Sequence, residues 1–299
     1  MERYIEKKIG KHTMRMSATQ RGLAGTLRKW KDGNMNAKRE PELLYVIEKE
    51  LKPGMVVVDL GANIGYVSLI MADLMKGKGI IHCIEPDHRN APLLDYNIKV
   101  NVNKFGYNMK RHNLAISNKN GKSKFCVANS SNLSSMTKTK ATRGIVQVKT
   151  RTLTKFFEGK EPPNFIKMDV EGHECEILDG AYNLFKNNNF PCNIIMEIHP
   201  QFYNSKHSLE AQMRRYIDDL GFKTKYIISA AVSVPDLFKE LGYTKPLKSF
   251  KSSGYNRAIY DNFKNEDMYK VACYAHKQYV AARKKWSKKI VRYVMIGRI

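Results

Sequence analysis

One strand, turn and helix pattern early in the chain constrains the fold more than any other feature. Residues 55–60 form a continuous apolar run, interrupted only by Asp59, which is typical of a strand buried on both faces. Gly61 and Gly65 follow, and residues 64–75 then carry apolar side chains at helical spacing. This order predicts the first unit of a parallel α/β sheet.

The following segments extend this pattern into a doubly wound domain. Short β-branched runs alternate with amphipathic stretches up to about residue 195. Further strands are predicted at residues 79–84, 107–114, 164–168, 193–197, 222–229 and 256–260. Residues 117–148 break the alternation and are predicted to form a hairpin insertion over the sheet edge. The sequence therefore predicts a Rossmann-like α/β domain over residues 51–261.

Basic residues are concentrated at both ends of the chain. The formal net charge is +24 over 299 residues, with an excess of cations in residues 1–31 and no acid after residue 276. Residues 1–50 and 262–299 are predicted to be basic, helical extensions. This charge is compatible with solvated lysine-rich faces, or with an anionic partner such as RNA or an anionic membrane surface.

The cysteines indicate a reduced environment. All five are scattered without CxxC spacing, in segments that are typical of strands or helices, so we expect small buried thiols. No cleavable leader opens the chain, and no apolar run approaches the roughly 18 residues that span a bilayer. We therefore expect a cytoplasmic protein.

The turn after the first strand has the features of a cofactor site. Its spacing is G-x-N-x-G, through Gly61, Asn63 and Gly65, rather than the GxGxxG that binds a pyrophosphate. Asp59 would repel phosphates, whereas a sulfonium cofactor that carries an ammonium group would be attracted to it. Glu85 ends the second strand, where a carboxylate can accept hydrogen bonds from both hydroxyls of an adenosine ribose.

Four more residues join the predicted cofactor site by their position. Tyr66 begins the helix after the glycine turn, and Asn113 and Ala115 lie at the end of the third strand, where they would border an adenine. Asp169 ends the fourth strand. Because the carboxyl ends of parallel strands meet at one edge of a sheet, we expect Asp169 to face the same crevice.

Acids and a histidine are crowded into the junction after the fourth strand. Asp169, Glu171 and His173 lie nearest to the strand end and are predicted to be catalytic. The later acids of this segment, Glu174 among them, are interpreted as ordinary helix-start acids that the helix dipole favours. A second histidine, His199, ends the fifth strand and joins the predicted catalytic set.

Two chemistries fit these catalytic candidates. Methyl transfer from a sulfonium needs little electrophilic help, so the protein has to align the reactants and remove a hydroxyl proton. His199 could take that proton while Asp169 or Glu171 orients it. Together with Glu197, the same three residues could instead hold a divalent cation, but no fixed ligand spacing supports this and no metal is assigned. Each of the two histidines could also be structural.

These motifs together resemble those of the FkbM family of class I methyltransferases. The similar stretches are VVVDLGANIGYVSL, IEPD, NLAISNKNG, SSM, VKTRTLTKF, FIKMDVEGHECEILDGA and MEIHP. They cover roughly residues 56–199, and residues 254–260 add a further similar stretch. The DVEG segment followed by LDGA is the most specific part.

The resemblance implies a fold, a cofactor and a reaction. The fold would be a seven-stranded sheet with its last strand antiparallel. S-adenosylmethionine would be held by Asp59, Gly61, Gly65 and Glu85. The reaction would be O-methylation of a sugar, glycoconjugate or natural-product hydroxyl.

Two other functions remain open from the sequence. An RNA 2′-O-methyltransferase would explain the basic ends, although the aromatic residues that stack on RNA bases are not interleaved with the basic ones. Lys167 and Asp169 are similar to the lysine and acid of such enzymes, but Lys167 is predicted to lie on a buried strand. The second is a non-catalytic protein that keeps the fold and binds a polyanion.

Overall fold

The computed structural model describes residues 3–31, 39–204, 206–273 and 290–299. Its strands, numbered in chain order, are β1 (Tyr4–Ile9), β2 (His12–Ser17), β3 (Val56–Leu60), β4 (Ile80–Ile84), β5 (Met109–His112), β6 (Ala115–Ile116), β7 (Gly121–Ala128), β8 (Thr142–Arg151), β9 (Phe165–Met168), β10 (Cys192–Glu197), β11 (Lys223–Ser229), β12 (Lys248–Ser252), β13 (Tyr255–Tyr260) and β14 (Val291–Arg298). Its α-helices are α1 (Leu23–Lys29), α2 (Pro41–Glu50), α3 (Tyr66–Leu74), α4 (Ala91–Phe105), α5 (Leu153–Phe156), α6 (Glu174–Lys186), α7 (Leu209–Arg214), α8 (Asp236–Glu240) and α9 (Asn265–Met268).

A nine-stranded sheet carries the fold. Its spatial order is β12, β13, β11, β14, β10, β9, β3, β4, β5. The five strands from β10 to β5 run parallel, whereas β14 is antiparallel to both of its neighbours. The predicted Rossmann-like α/β sheet with an antiparallel late strand is therefore present. The predicted count of seven strands is wrong, because β13 and β12 extend the sheet beyond β11.

The C-terminal strand is the largest departure from the sequence prediction. A basic helix is expected over residues 262–299, but β14 lies between β10 and β11 in the middle of the sheet, so a domain boundary after residue 261 would cut the sheet. Five consecutive residues of β14 are buried, which is typical of a strand covered on both faces. Arg292 and Arg298 near its ends hide this apolar run within a basic segment. Residues 274–289, the central part of the predicted C-terminal helix, lie outside the described residues.

The N-terminal extension is also not purely helical. Strands β1 and β2 pair as an antiparallel hairpin before α1 and α2. The hairpin is fixed to α4 by two buried amides: Asn97 accepts from the N–H of Arg15 and donates to its carbonyl, and Asn101 does the same with Thr13. These contacts satisfy backbone groups of β2 and hold it against the domain.

The predicted hairpin insertion is confirmed, and it reaches the carboxyl edge of the sheet. Strands β7 and β8 pair antiparallel, and β6 joins β8 in a small three-stranded sheet. In the loop between β7 and β8, Ser135 pairs with Cys126 of β7, and its hydroxyl donates to the carbonyl of Glu171, so this loop reaches the turn after β9. It supplies one wall of the cavity described below.

The core lies on both faces of the main sheet. Along β3, Val56, Val58 and Leu60 pack into one apolar cluster, while Val57 packs into another on the opposite face. All five cysteines are buried free thiols, as expected. Across the described parts of the chain, every helix is too short or too polar to cross a bilayer. The cytoplasmic location stays a prediction.

Candidate active site

A cavity opens at the carboxyl ends of β3, β4 and β9. The strand order reverses at β3, and open α/β sheets bind their ligands at such a point. Eight of the predicted site residues line the cavity: Gly61, Asn63, Tyr66, Glu85, Ala115, Asp169, Glu171 and His173. Four others, Asp59, Gly65, Asn113 and His199, are not among the described residues that line it.

The loop after β3 is shaped by its backbone. The N–H groups of Gly61 and Ala62 both donate to the carbonyl of Ile84, at 3.0 and 3.1 Å. Gly61 has a φ of +77°, and a Cβ at this position would lie 2.0 Å from the carbonyl oxygen of Asp169. Glycine is therefore required for the loop to pass this close to the turn after β9.

Glu85 is held at the cavity by two backbone amides. Its Oε2 accepts from the N–H of Asn63 and its Oε1 from the N–H of Asp87, each at 2.8 Å. Burial raises the pKa of Glu85 to about 7, and the charge of Asp87 adds to this rise. Each carboxyl oxygen has a further lone pair, so Glu85 can also accept hydrogen bonds from ligand hydroxyls.

Asp59 is sealed behind the cavity wall. It is fully buried, and its Oδ2 accepts a 2.6 Å hydrogen bond from the Ser68 hydroxyl. Lys167 is its cross-strand partner, with Nζ 3.0 Å from Oδ1. The expectation that Asp59 itself attracts a cofactor ammonium group is corrected, because Lys167 already balances its charge. Lys167, which the sequence excluded from the site, lines the cavity.

The other predicted cofactor positions separate into two groups. Tyr66 and Ala115 are buried and line the cavity, and the Tyr66 hydroxyl accepts from the N–H of Arg39. Asn113 is exposed. Gly65 has a φ of +89° at the start of α3, and a Cβ there would lie 2.9 Å from Leu94, so its role is to let α3 begin close to α4.

The turn after β9 holds an uncommon backbone conformation. Glu171 and Gly172 both have positive φ, at 51° and 96°. The Ser135 hydroxyl donates to the carbonyl of Glu171 at 2.8 Å, and a Cβ on Gly172 would lie 2.1 Å from the Phe202 ring. The hairpin loop and the segment after β10 therefore clamp the turn and fix the Glu171 side chain on the cavity wall.

Behind Glu171 lies a chain of hydrogen-bonding groups. His199 is buried, with Nδ1 2.7 Å from Oε1 of Glu174 and Nε2 3.5 Å from Oε2 of Glu171. Glu174 is fully buried and also accepts from the Tyr203 hydroxyl. Glu174 lies in the first turn of α6, as interpreted from the sequence, but it also holds His199 in place, which the sequence analysis did not predict.

His173 occupies a different position from His199. Its Nε2 lies 3.0 Å from the Ser117 hydroxyl and its Nδ1 lies 3.4 Å from Oε2 of Glu176. Burial lowers its pKa, which favours the neutral ring. Both ring nitrogens thus have protein partners at the start of α6, although His173 lines the cavity as predicted.

Asp169, Glu171 and His199 form a compact group where β9 and β10 end, and we call this the reaction side of the cavity because the predicted catalytic residues lie there. One ligand atom from each lies within 4.8 Å of the others, close enough to hold a metal ion. Burial raises the pKa of Glu171 to about 8 and that of Asp169 to about 6, and the charge of Glu197 contributes to both shifts. The residues required by the two mechanisms considered in the sequence analysis, a protein base and a divalent cation, therefore lie together at this part of the cavity.

Arg292 connects the cavity wall to the N-terminal segment. It contacts Glu40, lies 3.1 Å from Glu42 and 3.4 Å from Glu197, and lines the cavity beside Arg39. Arg292 belongs to the C-terminal cation excess. Part of that charge is therefore neutralised inside the fold.

The family assignment comes from comparison with known proteins. A family model described as the methyltransferase FkbM domain matches residues 59–224, which is more than half of the chain. The chain belongs to the FkbM methyltransferase family. Residues 59–224 are an FkbM methyltransferase domain, as the motifs suggest.

Individual relatives are more distant. The hexuronic acid methyltransferase AglP of Haloferax volcanii is 41% identical over 61 residues, which are 20% of this chain and 24% of that protein. The match thus spans about a quarter of that relative. The FkbM methyltransferase of Methylobacillus flagellatus aligns over 56% of this chain and 38% of its own, with 20% identity and a TM-score of 0.40. TYW2 of M. jannaschii, in complex with AdoMet, aligns over 88% and 87%, with 15% identity and a TM-score of 0.41.

The residues that line the cavity fit S-adenosylmethionine, independently of the comparisons with known proteins. At Gly61 the backbone forms a cradle that a Cβ would fill, and Glu85 presents a fixed carboxylate beside it. Asn63 and Ala115 line the same side. An FkbM methyltransferase would thus hold the ribose at Glu85 and the adenine near Ala115.

Three functional residues escaped the sequence analysis. Lys167 pairs with Asp59, Glu174 holds His199, and Ser135 fixes the Glu171 turn. All three lie in stretches that resemble the family, Ser135 in SSM and the other two in FIKMDVEGHECEILDGA. Their roles depend on partners that are distant in the sequence.

Proposed function

We propose that this FkbM methyltransferase transfers a methyl group to a hydroxyl of a sugar or glycoconjugate. The observation that carries the proposal is the Glu171 carboxylate on the cavity wall, backed by His199 and Glu174. Bound S-adenosylmethionine supplies a methyl group on a positively charged sulfur. The protein then has to orient the acceptor hydroxyl and remove its proton.

Glu171 is the residue that accepts the hydroxyl proton. It lines the cavity, whereas His199 lies behind it, so the roles of the two are exchanged relative to the first sequence hypothesis. Burial raises the pKa of Glu171 to about 8, and a base whose pKa lies near the working pH is effective. His199, held by Glu174, supports the Glu171 carboxylate from behind.

The polar walls of the cavity support a hydroxylated acceptor. Ser131, Ser134 and Ser135 line it from the hairpin loop, and Arg39 and Glu40 line it from the segment before α2. Such groups can hydrogen-bond to several sugar hydroxyls at once. The name of the Haloferax relative, a hexuronic acid methyltransferase, makes uronic acids the first acceptors to try.

An acceptor screen tests this function. Purified protein and S-adenosylmethionine are incubated with uronic acids, neutral sugars, glycans and RNA oligonucleotides, and release of S-adenosylhomocysteine is measured. We expect release with at least one sugar, its loss in Glu171→Gln, and an O-methyl signal in the product by NMR. Release with RNA alone would refute the sugar proposal.

The environment of Lys167 does not favour the role of base that an RNA 2′-O-methyltransferase would require of it. Lys167 is paired with Asp59, and the pKa of Lys167 is raised above its usual value although burial opposes this. An ammonium group that stays charged cannot remove a hydroxyl proton. An anionic partner at the basic ends remains a proposal, and salt-dependent pull-down on RNA and on anionic vesicles would test it.

The metal alternative rests on the same wall. A divalent cation held by Asp169, Glu171 and His199 would lower the pKa of the acceptor hydroxyl in place of a protein base. Chelator treatment separates the two mechanisms, since turnover through Glu171 alone survives it. Loss of turnover that Mg²⁺ or Mn²⁺ restores would favour the cation.

A further inference from the structure

Lys167 carries a positive charge into the cavity from a buried strand. It is 4% exposed, yet it lines the cavity, and its Nζ lies 3.0 Å from Oδ1 of Asp59. Ser68 holds the other Asp59 oxygen at 2.6 Å. Asp59 is thus anchored on two sides, and it anchors the ammonium group in turn.

We propose that the Lys167 ammonium group binds the carboxylate of the amino-acid end of S-adenosylmethionine. Asp59 is then a positioning residue, which acts through Lys167 and does not touch the cofactor. This inverts the expectation from the sequence, in which Asp59 attracts the ammonium group of the cofactor. The inference rests on the cofactor of this family and not on the identity of the acceptor.

The bonding capacity of Lys167 supports this assignment. An ammonium group has three N–H donors, and the 3.0 Å ion pair with Asp59 can engage only part of them. Asp169, two residues further along the chain, adds a second negative charge near Lys167. The N–H donors that Asp59 does not engage can still bind an anion that enters the cavity. A carboxylate is the anionic group that S-adenosylmethionine offers.

A comparison of the cationic side chains that line the cavity also favours Lys167. Arg292 lines the cavity but is surrounded by Glu40, Glu42 and Glu197. Arg39 also lines the cavity, from the segment before α2, and lies 4.0 Å from Glu40. Of the cations that line the cavity in the described part of the chain, Lys167 is the one on a strand that pairs with β3, where it lies opposite Asp59, two residues before Gly61.

The order of the strands places the two ends of the cofactor correctly. Glu85, which would hold the ribose, follows β4 on one side of β3, while Lys167 lies in β9 on the other side. Two strand spacings separate them, about 10 Å. The amino-acid end of an adenosyl cofactor anchored at Glu85 would cross the Gly61 cradle and approach Lys167.

The test uses ligands that differ only at this end. Calorimetry on the full chain compares S-adenosylmethionine, decarboxylated S-adenosylmethionine and 5′-methylthioadenosine, without any acceptor. We expect the wild type to prefer the carboxylated cofactor at least tenfold, which is the loss of one charge-assisted hydrogen bond. Lys167→Met should abolish this preference while leaving the affinity for 5′-methylthioadenosine within about twofold.

Two further variants guard against misfolding and bulk charge effects. Lys167→Met leaves Asp59 buried without its partner, so the double variant Asp59→Asn/Lys167→Met, which removes both charges, is measured in parallel. Lys110→Met removes an exposed lysine from β5, at the end of the same sheet, and should keep the full preference. The melting temperature of each variant is recorded.

Three results would overturn the proposal. One is a wild type that binds the decarboxylated cofactor as tightly as the carboxylated one. Another is a folded Lys167 variant that keeps the preference. The third is an equal loss for 5′-methylthioadenosine, which would show general damage to the cavity. None of these readouts depends on turnover, so a wrong acceptor assignment would leave them unchanged.

Discussion

The two sides of the cavity are built in different ways. On the cofactor side, the Gly61 loop and Glu85 are fixed by backbone N–H groups and by glycine geometry. On the reaction side, Glu171 depends on the side chains of His199 and Glu174 and on the Ser135 hydroxyl. A backbone-built side tolerates little change of shape, whereas a side-chain-built side can lose chemistry and keep its shape.

The largest effect should come from a Cβ in the cofactor cradle. Gly61→Ala would place a methyl group 2.0 Å from the Asp169 carbonyl oxygen at a φ of +77°. We expect at least 100-fold weaker binding of S-adenosylmethionine by calorimetry. Gly106→Ala is the matched control, with a φ of +70° and nothing within 4 Å of the new Cβ. It should cost about 1 kcal/mol of stability and leave the affinity unchanged. Equal effects of both variants would show that backbone strain, not the cradle, is responsible.

Removal of the proposed base should be nearly as severe for turnover. Glu171→Gln should lower kcat by roughly 10²- to 10⁴-fold, the usual contribution of a positioned base. Cofactor affinity should change less than threefold, because the shape of the turn is kept. Unchanged kcat with an identified acceptor would eliminate Glu171 as the base.

The pH dependence of turnover should report the same group. The pKa of Glu171 is raised to about 8, so the carboxylate is mostly protonated at neutral pH and ionises as the pH rises. We expect kcat/KM to increase from pH 6.5 to 8.5 and then to level off, because kcat/KM reports the ionisation of the free enzyme, and we expect Glu171→Gln to lack this limb. A rate that falls over this range would contradict the assignment.

Loss of the support behind Glu171 should have an intermediate effect. His199→Ala removes the ring and should slow turnover about tenfold to a hundredfold, while Glu174→Gln keeps the ring but weakens its 2.7 Å contact and should cost about tenfold. His173→Ala, at the neighbouring histidine, should slow turnover less than either. Equal losses of turnover in His199→Ala and His173→Ala would contradict the different roles assigned to the two histidines.

The smallest effect concerns stability at Glu85. Its pKa rises from 4.5 to about 7 on folding, so between these values the folded protein holds a proton that the unfolded chain lacks. The contribution of Glu85 to stability is therefore lost as the pH rises through this window, by at most about 3 kcal/mol. Urea unfolding at pH 5 and 8 should show a smaller loss in Glu85→Gln than in the wild type. A larger loss of stability between pH 5 and 8 in Glu85→Gln than in the wild type would contradict this direction.

The parts of the molecule that were predictable are those with local causes. The short apolar and β-branched runs located β3, β4, β9 and β10, and the glycine spacing located the cofactor loop. Glu85, Asp169 and Glu171 were found because parallel strands bring their carboxyl ends together. The strand count and β14 were missed, because an apolar run between arginines carries no local sign of its sheet neighbours.

The sequence by itself determined the fold class, the cofactor turn and the carboxylates at the strand ends, because these follow from backbone geometry over a few residues. Only the tertiary structure decided which charges meet. Asp59 and Lys167 are cross-strand partners, and Glu174 and His199 come from different elements. Their roles depend on which group occupies the buried space beside them, and that is set by strand order and side-chain packing rather than by spacing along the chain.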